Sequence, residues 1–410
     1  TDSTASGAVK TDGDTAGGLV GEFITTGAAK TYIIANSSAS GAVNAESDGG
    51  GLVGVTRKSI IRNSSASGKI VVDEGRAGGL VSQMIDGSDI IDSSATGDVS
   101  ATESYVGGLV GRVASGGGAP PNITDSDASG EVTVTGGSGF TSAESIGGLV
   151  GGVESGSVTG SHASGDVTLV AGSGSGTFAQ VGGLIGSFGT TGSGSSSFDG
   201  TLVNSSASGD VTGPTIVGGL VGESAGSITD SRASGDVTGN GDVSQSEIGP
   251  LGNDTFGGLV GGVVAAGTVV TSTATGDVAA RATVGGLVGV NSGSVTVSYA
   301  TGAVAADSDV GGLIGRNGGA VNRTYAGGSV TGDGSGLVGL VFGDGNSANS
   351  YWDTEATGQS TSAGNATGLT TSELKGNAAK TNTNLDFAAN WSVVDNGTHI
   401  SYPYLQANTQ

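Results

Sequence analysis

Carboxylates are the residues of this sequence best placed to do chemistry. Six of them, Asp98, Glu131, Asp166, Asp210, Asp236 and Asp277, each stand one residue before a Val in a recurring string. Ca²⁺ favours carboxylate and carbonyl oxygens, and like charges held a few ångströms apart repel. A fold that stacks these six would therefore offer a divalent cation pairs to bridge. One carboxylate per repeat is a sparse donor set, and a solvated acidic stripe screened by salt accounts for the same residues. A second calcium candidate is Asp236-x-x-x-Asn240-x-Asp242, with Glu247 downstream. Its spacing departs from the alternating ligands of an EF-hand. The chain has two histidines and no cysteine, so thiolate chemistry and disulfides are excluded. His162 occupies a slot that holds Ser, Asp or Arg in other repeats, and His399 lies near Asp395. No nucleophile elbow, phosphate loop or HExxH motif is present. Paired carboxylates on a parallel sheet can cleave sugars, but the aromatic-lined groove and basic residues such an enzyme needs are missing from the repeats. The expectation is that the chain is not an enzyme, with a carbohydrate-active enzyme as the least favoured alternative.

Nine Asn-x-Ser/Thr triplets begin at Asn36, Asn63, Asn122, Asn204, Asn253, Asn322, Asn365, Asn390 and Asn396. They are N-glycosylation candidates in a surface protein. Asn36, Asn63 and Asn204 share one position in the repeat, where Asn also serves as a turn former tolerant of left-handed geometry.

The scaffold that must position these groups is legible as a repeat. Gly-Leu-[Val/Ile] recurs at eleven successive sites, with Leu at 19, 52, 80, 109, 149, 184, 220, 259, 287, 313 and 337. Ten of these read Gly-Gly-Leu, which marks a bend where a Cβ would clash. Alternating with this string is [Ser/Thr]-x-Ala-[Ser/Thr/Gly]-Gly-x-[Val/Ile]. In Ser37-Ser38-Ala39-Ser40-Gly41-Ala42-Val43, positions 37, 39, 41 and 43 are small or apolar in every copy. That is the period of a strand with one buried face. Three residues before the Ser sits another apolar residue, such as Ile34, Ile61 or Ile90, and the odd spacing requires a corner between them. The residue just before the Ser is often Asn or Asp, a corner former. Each repeat thus supplies a few short strands joined by tight corners. Such a thin unit buries its apolar face only by stacking on its neighbours. Equivalent strands would pair in parallel about 4.8 Å apart, so eleven coils make a rod about 50 Å long, with right-handed winding favoured. Insertions at 172–177, 189–201 and 239–255 are expected to be loops on a constant scaffold.

Gly-Gly-Leu-Val-Gly followed by Gly-x-[Val/Ile]-x-x-Ser-x-Ala-[Ser/Thr]-Gly-x-Val closely resembles the GLUG repeat, most clearly at residues 285–304. The resemblance covers roughly residues 3 to 342. The closing segment, with Ser350-Tyr351-Trp352-Asp353-Thr354, Gly368-Leu369-Thr370-Thr371, Trp391 and Ser401-Tyr402-Pro403-Tyr404-Leu405, resembles the end of such arrays. It implies a large secreted or surface protein, often adhesin-like, of bacteria or archaea, with no catalytic residues to carry over.

Composition fits this reading. There are 84 glycines in 410 residues, and the net charge is −23. The acidic excess argues against nucleic acid as a partner, because phosphate binding needs clustered Lys and Arg. With only six lysines it also suits a halophilic protein, and equally an acidic surface protein at ordinary salt. No apolar run reaches the ~20 residues a membrane span needs. The expected architecture is an all-β, right-handed parallel β-solenoid over 1–345 and a C-terminal cap over 346–410. Larger side chains there would cover the solenoid's open end, and Thr370–Lys375 carries a helix start signal. The chain begins inside a repeat, so an upstream domain or another subunit is expected to cover that end. The leading functional expectation is a structural or adhesive extracellular rod that stacks head-to-tail on itself. The alternative is a glycan-binding adhesin using the variable loops, with other surface proteins or glycans as partners and Ca²⁺ as the candidate ion.

Overall fold

Stacked coils, each made of five short strands, form the body of the molecule in the computed structural model. The structure describes residues 1–25, 32–102, 104–136, 144–170, 179–190, 198–241, 254–332 and 334–408. One coil shows the plan. An alanine strand, Ser38–Ala39, is followed by a valine strand, Val43–Ala45, and a glycine strand, Asp48–Gly50. A leucine strand, Val53–Arg57, and an isoleucine strand, Ser59–Arg62, complete the turn. Equivalent strands pair in parallel into one sheet of 13 strands and four of 11. The register places like on like: Ala39 pairs with Ala5 and Ala66, and Ile61 with Ile34 and Ile90. The chain is therefore the parallel β-solenoid that its repeats require.

The leucines sit in the bend after Gly-Gly. Their amides continue the ladder there, Leu52 N–H to the Leu80 carbonyl at 2.9 Å and Leu80 to Leu109 at 2.8 Å. At Gly219 a Cβ would overlap the carbonyl oxygen of Gly258 in the next coil. The pair of glycines is thus required because successive backbones touch at this bend.

Ser37, Ala39, Gly41 and Val43 are all buried, as the alternation requires. They do not lie on one strand, however. The chain bends at Gly41, where a Cβ would overlap the carbonyl of Gly7. Ala39 enters one apolar column, with Leu52, Val53 and Ile61, while Val43 enters a second with Ala45, Ile70 and Val72. The interior is therefore two parallel cores, one enclosed by the alanine, leucine and isoleucine sheets and one by the valine and glycine sheets. Where the glycine and leucine strands meet, their outer faces are also covered: Ile216–Gly218 and Val221–Ser224 are buried at every residue.

The corner before the Ser takes the expected left-handed backbone. Asn36, Asn63, Asp92, Asp125, Asn204 and Asp230 have φ between 47° and 52°. The buried Ser that follows satisfies the polar groups this corner strands in the interior. Ser64 Oγ donates to the Arg62 carbonyl at 2.8 Å and accepts the Ser37 N–H at 3.2 Å. Ser93, Ser126, Ser161, Ser205, Ser231 and Ser272 repeat the arrangement, so a serine ladder runs beside the alanine ladder. Buried polar atoms cost little once paired.

The end of the chain both closes and buttresses the rod. Asn346–Ala348 is the eleventh isoleucine strand, and Tyr351–Asp353 and Thr367–Leu369 extend the alanine sheet. The coil geometry thus continues past residue 345. Trp352 packs onto the last coil of the first core, and its Nε1–H donates to the Gln359 carbonyl at 2.9 Å. Helices α1 (Thr354–Thr357), α2 (Thr371–Leu374) and α3 (Gly376–Asn382) follow. The helix start read from Thr370 is present, with its N–H donating to Glu373 Oε2 at 2.9 Å. The rest of the tail lies along the flank of the alanine sheet. There Trp391, Leu374, Leu385 and Leu405 pack on Tyr325, Tyr351 and Val297.

Candidate functional site

The acidic column falls where the repeat places it. Asp98, Glu131, Asp166, Asp210, Asp236 and Asp277 are exposed, each just before a valine strand. Glu131 Oε1 accepts the Thr133 hydroxyl of its own coil at 3.1 Å, while the five aspartates reach along the rod to backbone donors of the next coil. Asp98 Oδ1 accepts the Glu131 N–H at 3.1 Å, Asp166 that of Asp210 at 2.9 Å, Asp210 that of Asp236 at 2.9 Å, Asp236 that of Asp277 at 2.8 Å, and Asp277 that of Ala303 at 2.7 Å. In five of the six coils one carboxylate oxygen thus satisfies an amide, and charge-assisted bonds of this kind are stronger than neutral ones. Of the second calcium candidate, Asp242 and Glu247 lie outside the described residues. Asn240 donates its side-chain amide to the Leu169 carbonyl at 3.1 Å, so it and Asp236 serve different partners. Among the described residues no three Asp, Glu or His side chains gather into a group able to hold a metal ion.

The corner asparagines Asn36, Asn63 and Asn204 are exposed, as are Asn365 and Asn396, while Asn122, Asn322 and Asn390 are half-buried. Asn253 lies outside the described residues, as do loop 172–177 and parts of 189–201 and 239–255. Several of these amides already work within the protein. Asn36 donates to Asp2 Oδ1 at 3.0 Å, Asn122 to Asp89 Oδ1 at 3.3 Å, and Asn365 Oδ1 accepts from the Ser347 N–H at 2.9 Å. Asn396 Oδ1 closes a turn by accepting the His399 N–H at 2.8 Å. Asp395, in turn, binds Asn377 rather than His399.

Buried and half-buried polar clusters along the leucine sheet, at its bend with the glycine sheet and at its corner with the isoleucine sheet, escaped the sequence reading. Arg112 makes a two-pronged pair with Glu154, both contacts at 2.7 Å, and the Tyr105 hydroxyl donates to the same carboxylate at 3.2 Å. Burial and the Glu154 charge push the Tyr105 hydroxyl above its ordinary pKa. Farther along, Gln180 Nε2 donates to Glu223 Oε2 at 3.0 Å, and burial raises the Glu223 carboxyl. Asp86 shows the opposite balance. Burial opposes its ionisation, but the Gly118 N–H (3.0 Å), the Arg57 guanidinium (2.6 Å) and the Gly116 N–H (2.6 Å) outweigh burial and hold the carboxyl below its usual range. Each cluster joins residues from different coils, and no local pattern announces it.

His162 is exposed on the outer side of the alanine sheet, as expected of its slot. Its Nδ1 lies 2.8 Å from Ser206 Oγ on the next coil. A serine and an imidazole at that distance resemble a nucleophile and its base. The Ser206 N–H, however, is committed to the Ser161 carbonyl at 3.1 Å and does not face a developing oxyanion. The same slot holds Tyr299, Tyr325 and Tyr351, spaced at one coil each, and these carry the tail. Tyr299 and Tyr325 stack with ring centres 5.0 Å apart, and the Tyr325 hydroxyl donates to the Pro403 carbonyl at 2.6 Å. Between this platform and His162, the end of the tail at Ala407 and the coil residues Asn204, Ser206, Asp230 and Arg232 enclose a polar cleft.

The fold defines a repeat-built protein of the parallel β-solenoid class. A family model described as the GLUG motif matches residues 102–135, 142–168 and 213–238, so these stretches of the chain are GLUG repeats. No curated protein and no solved structure matches the chain.

Proposed function

We propose that the chain is a rigid extracellular rod whose work is structural and adhesive: it spans distance and presents side chains and loops from a constant scaffold. The observation that carries this reading is the unbroken register of five parallel ladders through eleven coils. In such a lattice every internal coil is braced by backbone bonds on both sides, so the molecule resists bending and local opening. The acidic surface keeps it soluble in salt, which screens the stacked carboxylates. Display outside the cell is part of this reading, supported by the resemblance of the repeats to GLUG arrays. Ser206 and His162 serve in this reading as surface polar groups, not as catalysts. The first coil leaves Ile24, Tyr32 and Ile33 exposed, an apolar edge suited to a further coil, and a second copy stacking there would extend the rod into a filament.

Electron microscopy of the purified chain in high salt tests this. Straight rods about 50 Å long, or filaments repeating near that length, are expected. Flexible or globular particles would overturn the rod. Filaments that fall apart on adding a chelator would move the acidic column from an internal brace to a cation bridge between copies.

A further inference from the structure

Three Asn-Gly pairs occur in the chain, Asn240-Gly241, Asn317-Gly318 and Asn396-Gly397. In such a pair the glycine nitrogen can attack the asparagine side-chain carbonyl, because no Cβ shields it. The structure treats the three differently. Asn317 is fully buried between coils: its Oδ1 accepts from Asn291 Nδ2 at 2.8 Å, and its own Nδ2 donates to the Asn346 carbonyl at 3.2 Å. The Gly318 N–H is committed to the Asn291 carbonyl at 2.8 Å. Asn240 is exposed, but its Nδ2 is held by the Leu169 carbonyl at 3.1 Å. Asn396 has neither restraint. It stands at the tip of the hairpin whose arms are Trp391–Ser392 and Tyr404–Leu405, where residues 395–400 are all exposed. Neither its Nδ2 nor the Gly397 N–H makes a hydrogen bond among the described residues. Its Oδ1, by contrast, collects three donors: the His399 N–H at 2.8 Å, the Thr398 hydroxyl at 2.9 Å and the Thr398 N–H at 3.1 Å. Gly397 takes a left-handed φ of 81°, and the space where a Cβ would stand is open.

We propose that Asn396 is a self-modifying site, at which the Gly397 nitrogen closes a ring on the Asn396 side-chain carbonyl and expels ammonia. The three donors favour this reaction. As the bond from nitrogen to Cγ forms, negative charge gathers on Oδ1, and donors already aimed at that oxygen stabilise it without reorganisation. Both reacting groups belong to adjacent residues, so no encounter is needed. The Gly397 nitrogen gives its proton to solvent water or hydroxide. The Cγ–Nδ2 bond breaks, and the nitrogen leaves as ammonia after taking a proton from water. Water then opens the cyclic imide at one of its two carbonyls. One product is aspartate, which keeps the Oδ1 contacts and adds a negative charge to the tip. The other is isoaspartate, in which the main chain runs through Cγ. That adds one atom to the turn and makes Oδ1 a main-chain carbonyl oxygen, no longer free to hold Thr398 and His399. The bond from the Asn396 N–H to the His399 carbonyl, at 3.2 Å, then loses its support, and the tip opens. The site acts independently of any adhesive role of the rod.

Timed incubation of the full chain at neutral pH, followed by proteolysis and mass spectrometry, tests the proposal. Loss of ammonia and the later gain of water are followed at each Asn-Gly pair, in the native protein and in denaturant. In denaturant the three pairs should react at similar rates. In the native protein Asn317 should stay intact, and Asn396 should react at least as fast as it does in denaturant. Thr398→Val removes the hydroxyl donor and keeps the two N–H donors. It should slow the native reaction at Asn396 about fivefold, the effect of one ordinary hydrogen bond, and leave the denatured rate unchanged. A native rate at Asn396 below its denatured rate would overturn the proposal. So would a Thr398→Val variant that reacts as fast as the wild type in the native state.

Discussion

Residues 206–229 make one central coil, and 371–405 make most of the tail. The coil buries Ala207, Val211, Val217, Leu220, Val221 and Ile228, nothing larger than Leu or Ile, and packs each against the residues at the equivalent position above and below. The tail concentrates its burial in Trp391, Leu374, Leu385 and Leu405 on a platform of tyrosines. Asp353, fully buried, ties its parts together: Oδ1 caps α1 and accepts the Thr371 hydroxyl at 2.9 Å, and Oδ2 accepts the Tyr402 hydroxyl at 2.6 Å. Burial and that carboxylate push the Tyr402 hydroxyl well above its ordinary pKa. Cohesion in the coils is thus spread over many small equivalent contacts, whereas in the tail it hangs on a few large ones. A lesion in the tail should be local and severe, and a lesion in a coil milder but felt by its neighbours.

The sharpest break in this contrast is Trp391→Ala. Removing a fully buried Trp costs about 3–5 kcal/mol, and the tail should detach while the coils stay folded. Hydrogen exchange should show 371–405 losing protection with the solenoid strands unchanged. Loss of protection in every coil at once would show that the two regions fold as one unit. Gly219→Ala comes next. Its Cβ would push on the Gly258 backbone, an overpacking expected to cost about 1–3 kcal/mol, and exchange should rise in the coils on both sides of the bend.

Asp86→Asn tests a coil contact that resembles the tail's concentrated style. The native carboxyl titrates below its unfolded value, so its stabilisation is present above the unfolded pKa, near 3.9, and is lost as pH falls through the lower folded pKa. The variant should lose about 1–3 kcal/mol at neutral pH. The gap in melting temperature from wild type should close as the pH drops below about 4. A gap that persists at the lowest pH would assign the effect to shape and not charge. The smallest effect is a gain. Thr271 holds the left-handed corner with φ 48°, a geometry that costs a β-branched residue about 1 kcal/mol more than Asn. Thr271→Asn should raise the denaturant midpoint by a corresponding amount, and a lower midpoint would mean that the Thr side chain, not the backbone, decides that corner.

The contrast also explains what could be read in advance. In the coils each residue stacks on its own equivalent, so the corner at Asn36 and Asn63, the serine and leucine ladders and the exposed column at Asp98 through Asp277 were legible from spacing alone. The tail has no equivalents to stack on. Its aromatic content announced a cap, but nothing in the spacing of Trp391 or Tyr402 told that they would lie along the flank. The 26-residue recurrence of Tyr299, Tyr325 and Tyr351 was the available signal. The Arg112–Glu154 and Asp86–Arg57 pairs were illegible because charges recur at those positions only sporadically and with either sign, as Glu22, Glu223 and Arg316 do at the position of Arg112. The cleft was illegible for a further reason: it needs both the coil residues around Ser206 and the tail that walls it.

By itself, the sequence determined the repeat unit, the parallel stacking and which positions are buried, because a chain that stacks on copies of itself turns sequence periodicity directly into neighbours. Only the tertiary structure decided that Ala39 and Val43 feed different cores and that the tail docks on the outer tyrosines. Those outcomes depend on how non-equivalent segments pack: the bend at Gly41 keeps the alternation of burial while changing its direction, and the tail's large side chains settle wherever the most apolar surface can be covered.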